Sequence, residues 1–507
     1  MKLEVIILAA GRGTRMHSAL PKVLHPLAGR PLLIHVLATA CRLSPQRLHV
    51  VLGYAAQAVK QAVQESLAQQ PLVQRSLVKD SLAKDSLAKQ PLAQQPLDAP
   101  DITWVLQSEQ RGTGHAVLQA LPGVDDDATV LVLYGDVPLL RPQTLAQLTQ
   151  HSPALLSAHL DDPAGYGRVL RDPGGQLQGV VEHGDATPAQ RAIGEINSGV
   201  LACPAALLKD YLPRVGNANA QGEYYLPDVL AMAVADGHRV GVLRADCARD
   251  VLGINERSQL AEAESLYRAR QAQALMSAGV SLADPARIDV RGTLDCGRDV
   301  FVDVNCVFEG QVVLGEGVRV GPNCVLRNTR VGAGSTVHAM SHLEDAVLDE
   351  ACSVGPYARL RPGTRLASGA RIGNFVETKK ASIGAGSKVN HLSYVGDATL
   401  GRGVNIGAGT ITCNYDGIDK HPTCLGDRVF IGSNSTLVAP LEVGAGAFVA
   451  AGSTVTRAVP AESLGVARAK QRNVEGWIAP QQRCRAASRE AAADEPSPES
   501  TAPQTDQ

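Results

Sequence analysis

Leu425-Gly426-Asp427-Arg428-Val429-Phe430-Ile431-Gly432-Ser433-Asn434-Ser435-Thr436-Leu437 is the stretch that decides the fold of the C-terminal half. An aliphatic residue returns every six positions, at Leu425, Ile431, Leu437, Val443, Val449 and Val455, often followed by Gly and with Ser435, Ala447 or Ser453 four places on. Earlier runs keep the step at Val354, Leu360, Leu366 and Ile372, at Ile383, Val389 and Val395, and at Leu400 and Ile406. Such units predict a parallel β-helix, in which each makes one short strand and one tight turn and the aliphatic side chains stack inward, coil upon coil. Of the 49 glycines, 27 lie between residues 292 and 476, where tight turns need a residue tolerant of positive φ. A glycine-rich disordered tract is excluded because the aliphatic residues return on schedule. The segment Cys413 to Cys424 breaks the period and reads as a loop thrown out from the solenoid.

Working outward, residues 281–478 form the β-helix domain, and residues 479–507, rich in Ala, Ser, Pro, Glu and Gln, are expected to be a disordered tail. Upstream, Asn255 to Ala278 is rich in Ala, Glu, Gln, Arg and Leu and is followed by Gly279, which predicts a long connecting helix within a linker at 252–280. In residues 1–251, strand-length apolar runs (Glu4 to Ala9, Leu48 to Leu52, Thr129 to Leu133) alternate with helix-like stretches, the pattern of an α/β, Rossmann-like domain around a parallel sheet. Inside it, residues 66–98 repeat imperfect pentads with leucines at 67, 72, 77, 82, 87, 92 and 97. A period of five fits neither helix nor strand, so the insert reads as a low-complexity surface excursion.

The chain has 507 residues, enough for two or three domains, with 48 Lys plus Arg against 50 Asp plus Glu and a net charge of -2. That balance excludes the basic footprint of a nucleic-acid binder, and 3% aromatic residues provide no stacking platform for single strands. No apolar run approaches the roughly 20 residues of a membrane span, and the start lacks a signal-peptide core, so no membrane partner and a cytoplasmic location are expected. The ten cysteines lack any CxxC pair and read as reduced, mostly buried thiols.

Leu8-Ala9-Ala10-Gly11-Arg12-Gly13-Thr14-Arg15-Met16 leaves the first strand as a glycine-rich turn, with Pro21-Lys22 close behind. Backbone N–H groups in such a turn approach phosphates, and Arg15 and Lys22 add positive charge for a polyphosphate. The turn is neither a Walker loop nor the three-glycine dinucleotide pattern. In Tyr134-Gly135-Asp136 a buried strand delivers a carboxylate at its C-terminal end, where open α/β sheets bind ligands, and Asp136 is suited either to a Mg²⁺ ion or to capping a turn. Asn255 offers a second metal oxygen or an N-cap for the linker helix.

In the second half, charged and polar residues interrupt the repeat at Arg359-Leu360-Arg361, Glu377-Thr378-Lys379-Lys380, Asn390-His391-Leu392-Ser393-Tyr394 and Asn405. If three units make a coil, residues about 18 apart stack vertically, which predicts that Arg361, Lys379 and Asn405 converge on one phosphate. His391 lies among these cations, and imidazole is the usual general base near neutral pH.

The stretch Leu8 to Lys22, with Gln107-Ser108-Glu109-Gln110-Arg111-Gly112-Thr113-Gly114, Tyr134-Gly135-Asp136, Gly165-Tyr166-Gly167-Arg168, Val181-Glu182-His183 and Glu195-Ile196-Asn197-Ser198-Gly199, resembles the sugar-1-phosphate nucleotidyltransferases. Joined to the hexapeptide half, residues 3 to 477 resemble the bacterial family that unites N-acetylglucosamine-1-phosphate uridyltransferase with glucosamine-1-phosphate N-acetyltransferase. The resemblance implies a left-handed β-helix, association as a homotrimer, and the substrates UTP, N-acetylglucosamine 1-phosphate, glucosamine 1-phosphate and acetyl-CoA. It implies UTP and UDP-sugar contacts at Leu8, Ala9, Ala10, Gly11, Lys22, Gln107, Gly112, Thr113, Tyr134, Gly135, Asp136, Gly167, Glu182, Asn197 and Asn255. Catalytic charge would come from Arg15 and Lys22, with Mg²⁺ on Asp136 and Asn255. In the β-helix it implies His391 as general base, oriented by Glu377, with the sugar phosphate on Arg361, Lys379, Tyr394 and Asn405. Acetyl-CoA would lie on Ala408, Asn414, Tyr415, Ser433, Ala451 and Arg468.

Two other readings bear on the same residues. One keeps only the nucleotidyltransferase, with the β-helix as an oligomerisation module; the other is a non-enzymatic scaffold like the translation-factor subunits of this architecture. His391 with Arg361 and Lys379 opposes the first, and Arg15, Lys22 and Asp136 oppose the second.

Overall fold

The computed structural model describes residues 2–68 and 102–493. In the N-terminal half, seven strands lie in the order Gly241–Arg244, Ala154–His159, Glu195–Pro204, Thr129–Tyr134, Leu3–Ala9, Arg47–Leu52, Ile102–Leu106, with the hairpin Arg168–Arg171 and Leu177–Val181 attached at Glu195–Pro204. Leu3–Ala9 is fully apolar after Glu4 because it is buried on both faces. Val5 and Ile7 pack with the helices Leu32–Cys41 and Pro142–Gln150. Ile6 and Leu8 pack on the opposite face with Thr113–Ala120, Ala205–Tyr211 and Asp228–Ala235.

The sheet is mixed, not all parallel. Glu195–Pro204 runs antiparallel to both neighbours, because it enters from the hairpin at the far end of the sheet. Of the 66–98 insert, Ser66 to Ala68 close the helix Ala56–Ala68, and the rest lies outside the described residues.

The helix Arg257–Ser277 links the halves. It is fastened to the N-terminal domain by Arg270, which bonds the buried Asp250 and donates to the Leu139 carbonyl at 2.7 Å. Tyr267 adds an edge contact with His35, centroids 4.9 Å apart.

The second half is a left-handed parallel β-helix. Val302, Val320, Val337, Val354, Ile372, Val389, Ile406, Ile431 and Val449 form one inward column, each in register with the next coil and each buried. At about 1.5–3 kcal/mol for a fully buried aliphatic side chain, such columns supply the cohesion that 2-residue strands lack. The step of 25 positions between Ile406 and Ile431, against 17 or 18 elsewhere, accommodates the loop between Ile411–Cys413 and Thr423–Leu425.

Two expectations are corrected here. Residues Ile478–Ala493 form an exposed α-helix where composition predicts disorder, because Ala, Gln, Arg and Glu are good helix formers even without a core to join; residues 494–507 lie outside the described residues. The cysteines are free, but Cys203, Cys306, Cys324 and Cys352 alone are buried, and Cys424 and Cys484 are exposed.

Candidate functional sites

In the N-terminal domain the Lys22 ammonium bonds the Asp136 carboxylate and lies 3.1 Å from Asn255 Oδ1. Asp136 is brought there by its strand, and its backbone carbonyl accepts from Ile254 N at 2.9 Å, which draws the start of the linker helix beside it. The helix is capped by Glu256, boxed with Gln259, so Asn255 is not the N-cap and its side chain faces Lys22. Asp136 and Asn255 thus present two hard oxygen donors at one cation position, a set that fits Mg²⁺ completed by substrate phosphates and water. Among the described residues no cluster of three or more His, Cys, Asp or Glu side chains could hold a metal without such help. Arg15 is exposed on the turn Thr14–Met16; burial raises the Tyr166 phenol, Asp136 reinforcing the rise and Arg15 opposing it.

Beside this group opens a cavity of about 230 Å³ lined by Thr113, Tyr134, Gly167, Glu182 and Asn197, together with Tyr166, Gln221, Glu223 and Tyr225. The first five are residues the sequence singles out; the Gln221 to Tyr225 contribution was missed, although its Gly222 turn and paired tyrosines are a visible polar break. Burial raises the Glu182 carboxyl, reinforced by Asp228, Asp185 and Glu223 and opposed by Arg168. The Tyr134 phenol is raised by burial and by Glu182. A Cβ on Gly167 would sit 3.0 Å from Glu182 Oε1, so glycine keeps that wall open. Thr113 Oγ1 accepts from Leu226 N at 3.1 Å and Asn197 Oδ1 from Gly199 N at 2.9 Å, which orients both side chains.

Leu8, Ala9 and Ala10 are buried at the end of their strand, and Gly135 N donates to the Leu8 carbonyl at 2.9 Å. Gly11 has open space where a side chain would stand. Gln110 Nε2 donates to the Ala10 carbonyl at 2.9 Å, and buried Gln107 donates to the Gly112 carbonyl at 3.2 Å. Gly112 needs its φ of 105° and its missing Cβ, which would meet Tyr224 O at 2.7 Å.

On the β-helix, coil-to-coil pairing stacks an alternating ladder: Arg291 to Glu309 at 3.2 Å, Glu309 to Arg327, and Arg327 to Glu344 at 3.5 Å. Above it Arg361 pairs with Glu377 at 2.8 Å, and then the alternation stops. Lys379 faces Lys420, and the Lys379 ammonium is lowered mainly by Lys420, then by Arg361. This excess of cations is suited to a phosphate dianion. Lys420 was missed from sequence because it sits in the aperiodic loop. That loop is held by Asp416, which accepts from His421 at 2.7 Å and from the Ile418 and Asp419 amides at 2.8 and 2.7 Å. Tyr394 pairs with Glu377, and its hydroxyl lies where a side chain on Gly396 would be, the residue paired with Lys379.

His391 Nδ1 lies 2.8 Å from Asn374 Oδ1, its register partner one coil below. Glu377 is engaged by Arg361, so the expected orienting of His391 by Glu377 is replaced by Asn374. Asn405 also departs from expectation. It stands 26 positions beyond Lys379, about one and a half coils, and pairs with Lys388 and Phe430 on another flank. Within one chain the three phosphate candidates therefore do not meet.

Ala408, Ser433 and Ala451 stack on successive coils: Asn434 N bonds Ala408 O at 2.7 Å, Gly452 N bonds Ser433 O at 2.8 Å, and Arg468 Nη1 closes the column on Ala451 O at 2.9 Å. Asn414, bonded to Asp397, and Tyr415 lie apart from this column, in the loop that carries Lys420.

Comparison with known families agrees with both halves. Residues 5–274 match the MobA-like NTP transferase domain, residues 296–328 the bacterial transferase hexapeptide (six repeats), and residues 422–457 the hexapeptide repeat of succinyl-transferase. Fold and sites together define a nucleotidyltransferase fused to a hexapeptide-repeat acyltransferase. The chain is 52% identical over 482 residues to the Bifunctional protein GlmU of Cellvibrio japonicus (strain Ueda107), covering 94% of this chain and 99% of the relative. It is 53% identical over 484 residues to the Bifunctional protein GlmU of Alkalilimnicola ehrlichii (strain ATCC BAA-1101 / DSM 17681 / MLHE-1), covering 95% and 97%. The chain belongs to the GlmU family.

Proposed function

We propose that this protein makes UDP-N-acetylglucosamine at two independent sites: acetyl transfer from acetyl-CoA to glucosamine 1-phosphate in residues 281–478, then uridylyl transfer from UTP to N-acetylglucosamine 1-phosphate in residues 1–251. The carrying observation is the separation of two chemically different groups on one chain, Lys22–Asp136–Asn255 in the N-terminal domain, and His391–Asn374 together with the Arg361/Lys379/Lys420 cations on the β-helix.

In the first site, the Leu8 to Gly11 backbone, Gln107 and Gly112 hold the nucleotide, and Thr113, Tyr134, Gly167, Glu182 and Asn197 hold the sugar. An oxygen of the sugar 1-phosphate attacks the α-phosphorus of UTP and the bond to pyrophosphate breaks. The attacking phosphate is already ionised, so no general base is needed, and Arg15 and Lys22 stabilise the charge that develops. Asp136 and Asn255 would hold Mg²⁺, which supplies further neutralisation of the phosphate oxygens when bound.

In the second site Arg361, Lys379 and Tyr394 anchor the sugar phosphate. The sugar nitrogen attacks the thioester carbonyl, His391 Nε2 takes its proton, and the CoA thiolate leaves. Asn374 Oδ1 can only accept, which places the other imidazole proton on Nδ1 and leaves the Nε2 lone pair for that task. Ala408, Ser433, Ala451 and Arg468 form the acetyl-CoA track, and Asn414 and Tyr415 contribute to acetyl-CoA binding from the loop apart from it.

The molecule works as a homotrimer in which Asn405 of one copy completes the phosphate site of the next. Supporting this, Met340, Tyr357, Phe375 and Leu392 occupy equivalent turns of successive coils with exposed apolar side chains, Tyr357 and Phe375 stacking at 5.2 Å. Among the described residues no helix is long and apolar enough to cross a membrane; a cytoplasmic location is part of the proposal, on the strength of the likeness to the GlmU relatives.

Assaying each half-reaction separately tests the scheme. H391A is expected to abolish acetyl transfer and spare uridylyl transfer, and D136A to do the reverse. Loss of both reactions from either substitution in a folded protein refutes it.

A further inference from the structure

The linker helix does more than join the domains: its first turn reaches under the loop that carries Arg15. Arg257 Nε donates to the Met16 carbonyl at 3.2 Å, across 241 positions of sequence. Met16 is fully buried and ends the single turn Thr14–Met16, whose own bonds run from Met16 N to Gly13 O at 3.0 Å and His17 N to Thr14 O at 3.1 Å. Both flanking residues, Gly13 and His17, are left-handed, at φ 65° and 47°. The turn is therefore a short, exposed excursion with two conformational pivots, held by one buried side chain and one distant guanidinium. Arg257 itself is exposed, so it contributes little to any core. Near it stands His25, buried, with Nε2 lacking a hydrogen-bond partner among the described residues; burial first, and then Arg257, disfavours its protonation.

We propose that Arg257 is a positioning residue for uridylyl transfer: it fixes the Met16 carbonyl so that the preceding Arg15 is presented toward Asp136 and Tyr166. The inference rests on the reading of Arg15 as a charge-stabilising group. Arg257 touches no substrate; it removes the freedom of the two pivots, so that Arg15 does not have to be ordered when the triphosphate binds. Misplacement of a catalytic group by about 1 Å can cost roughly 100-fold in rate.

The test uses the full-length chain and measures kcat and KM for UTP in R257M, R257K, R15A and R15A/R257M, with acetyl transfer as an internal measure of folding. R257M is expected to lose about 10- to 100-fold in kcat/KM, and R257K, which can still donate to the carbonyl, to recover most of it. The double variant is expected within about 2-fold of R15A, because Arg257 acts through Arg15. Losses that multiply, an R257M rate within 2-fold of the parent, or a parallel fall in acetyl transfer would each overturn the proposal. R15A at the parental rate would refute the assignment of Arg15 itself, and the proposal with it.

Discussion

His391 Nδ1 is bonded to Asn374 Oδ1 at 2.8 Å, a contact made by residues 17 positions apart on adjacent coils. Because an amide oxygen accepts and never donates, Asn374 selects the tautomer with a basic Nε2. N374A is expected to slow acetyl transfer roughly 10- to 100-fold, a part of the ~10²–10⁴ that a general base contributes, with uridylyl transfer unchanged. Release of free CoA thiol measures it; a parental rate would remove Asn374 from the mechanism.

Lys379 loses its proton below the ordinary lysine range because Lys420 and Arg361 stand beside it. As pH rises through that lowered value, Lys379 becomes neutral and its attraction for the sugar phosphate is lost. KM for glucosamine 1-phosphate should therefore climb at a pH below the ordinary lysine range. In K420M that climb should begin at higher pH, since the largest depressing neighbour is gone, although KM near neutrality rises with the lost charge. An unmoved alkaline limb would contradict the arrangement.

Glu182 is the converse case. Its carboxyl is raised in the folded state by burial and by Asp228, Asp185 and Glu223, so ionisation opposes folding and stability falls as pH rises through the raised value. E182Q is expected to raise the thermal midpoint of the N-terminal domain at neutral pH. The gain should shrink on acidification, where the parent carboxyl is protonated too. The same substitution is expected to raise KM for N-acetylglucosamine 1-phosphate about 10-fold through loss of a charged acceptor. Calorimetry and steady-state kinetics read the two effects separately.

Chelation should divide the activities. Excess EDTA is expected to abolish uridylyl transfer and leave acetyl transfer at its starting rate, with recovery on adding Mg²⁺, because the proposed uridylyl transfer uses the ion that Asp136 and Asn255 would hold, whereas the proposed acetyl transfer runs through His391. Sensitivity of both reactions would contradict this division.

The sequence by itself determined the inward columns of the β-helix and the glycine turn after Leu3–Ala9, and its motif stretches hold most of the residues that line the cavity of Thr113, Gly167 and Glu182. These are local matters: a six-residue return buries its aliphatic residue whatever surrounds it, and a strand end delivers Gly135 and Asp136 wherever the sheet stands. Only the tertiary structure decided which side chains meet across coils and domains. It gave His391 to Asn374 and Glu377 to Arg361, sent Asn405 to another flank, turned Asn255 toward Lys22, and folded the aperiodic loop so that Lys420 faces Lys379. Along the column from Val302 to Val449 a coil takes 17 or 18 residues, and 25 where the loop is inserted, and a shift of one position moves a side chain to the opposite face of its strand. No count along the chain could settle those partners.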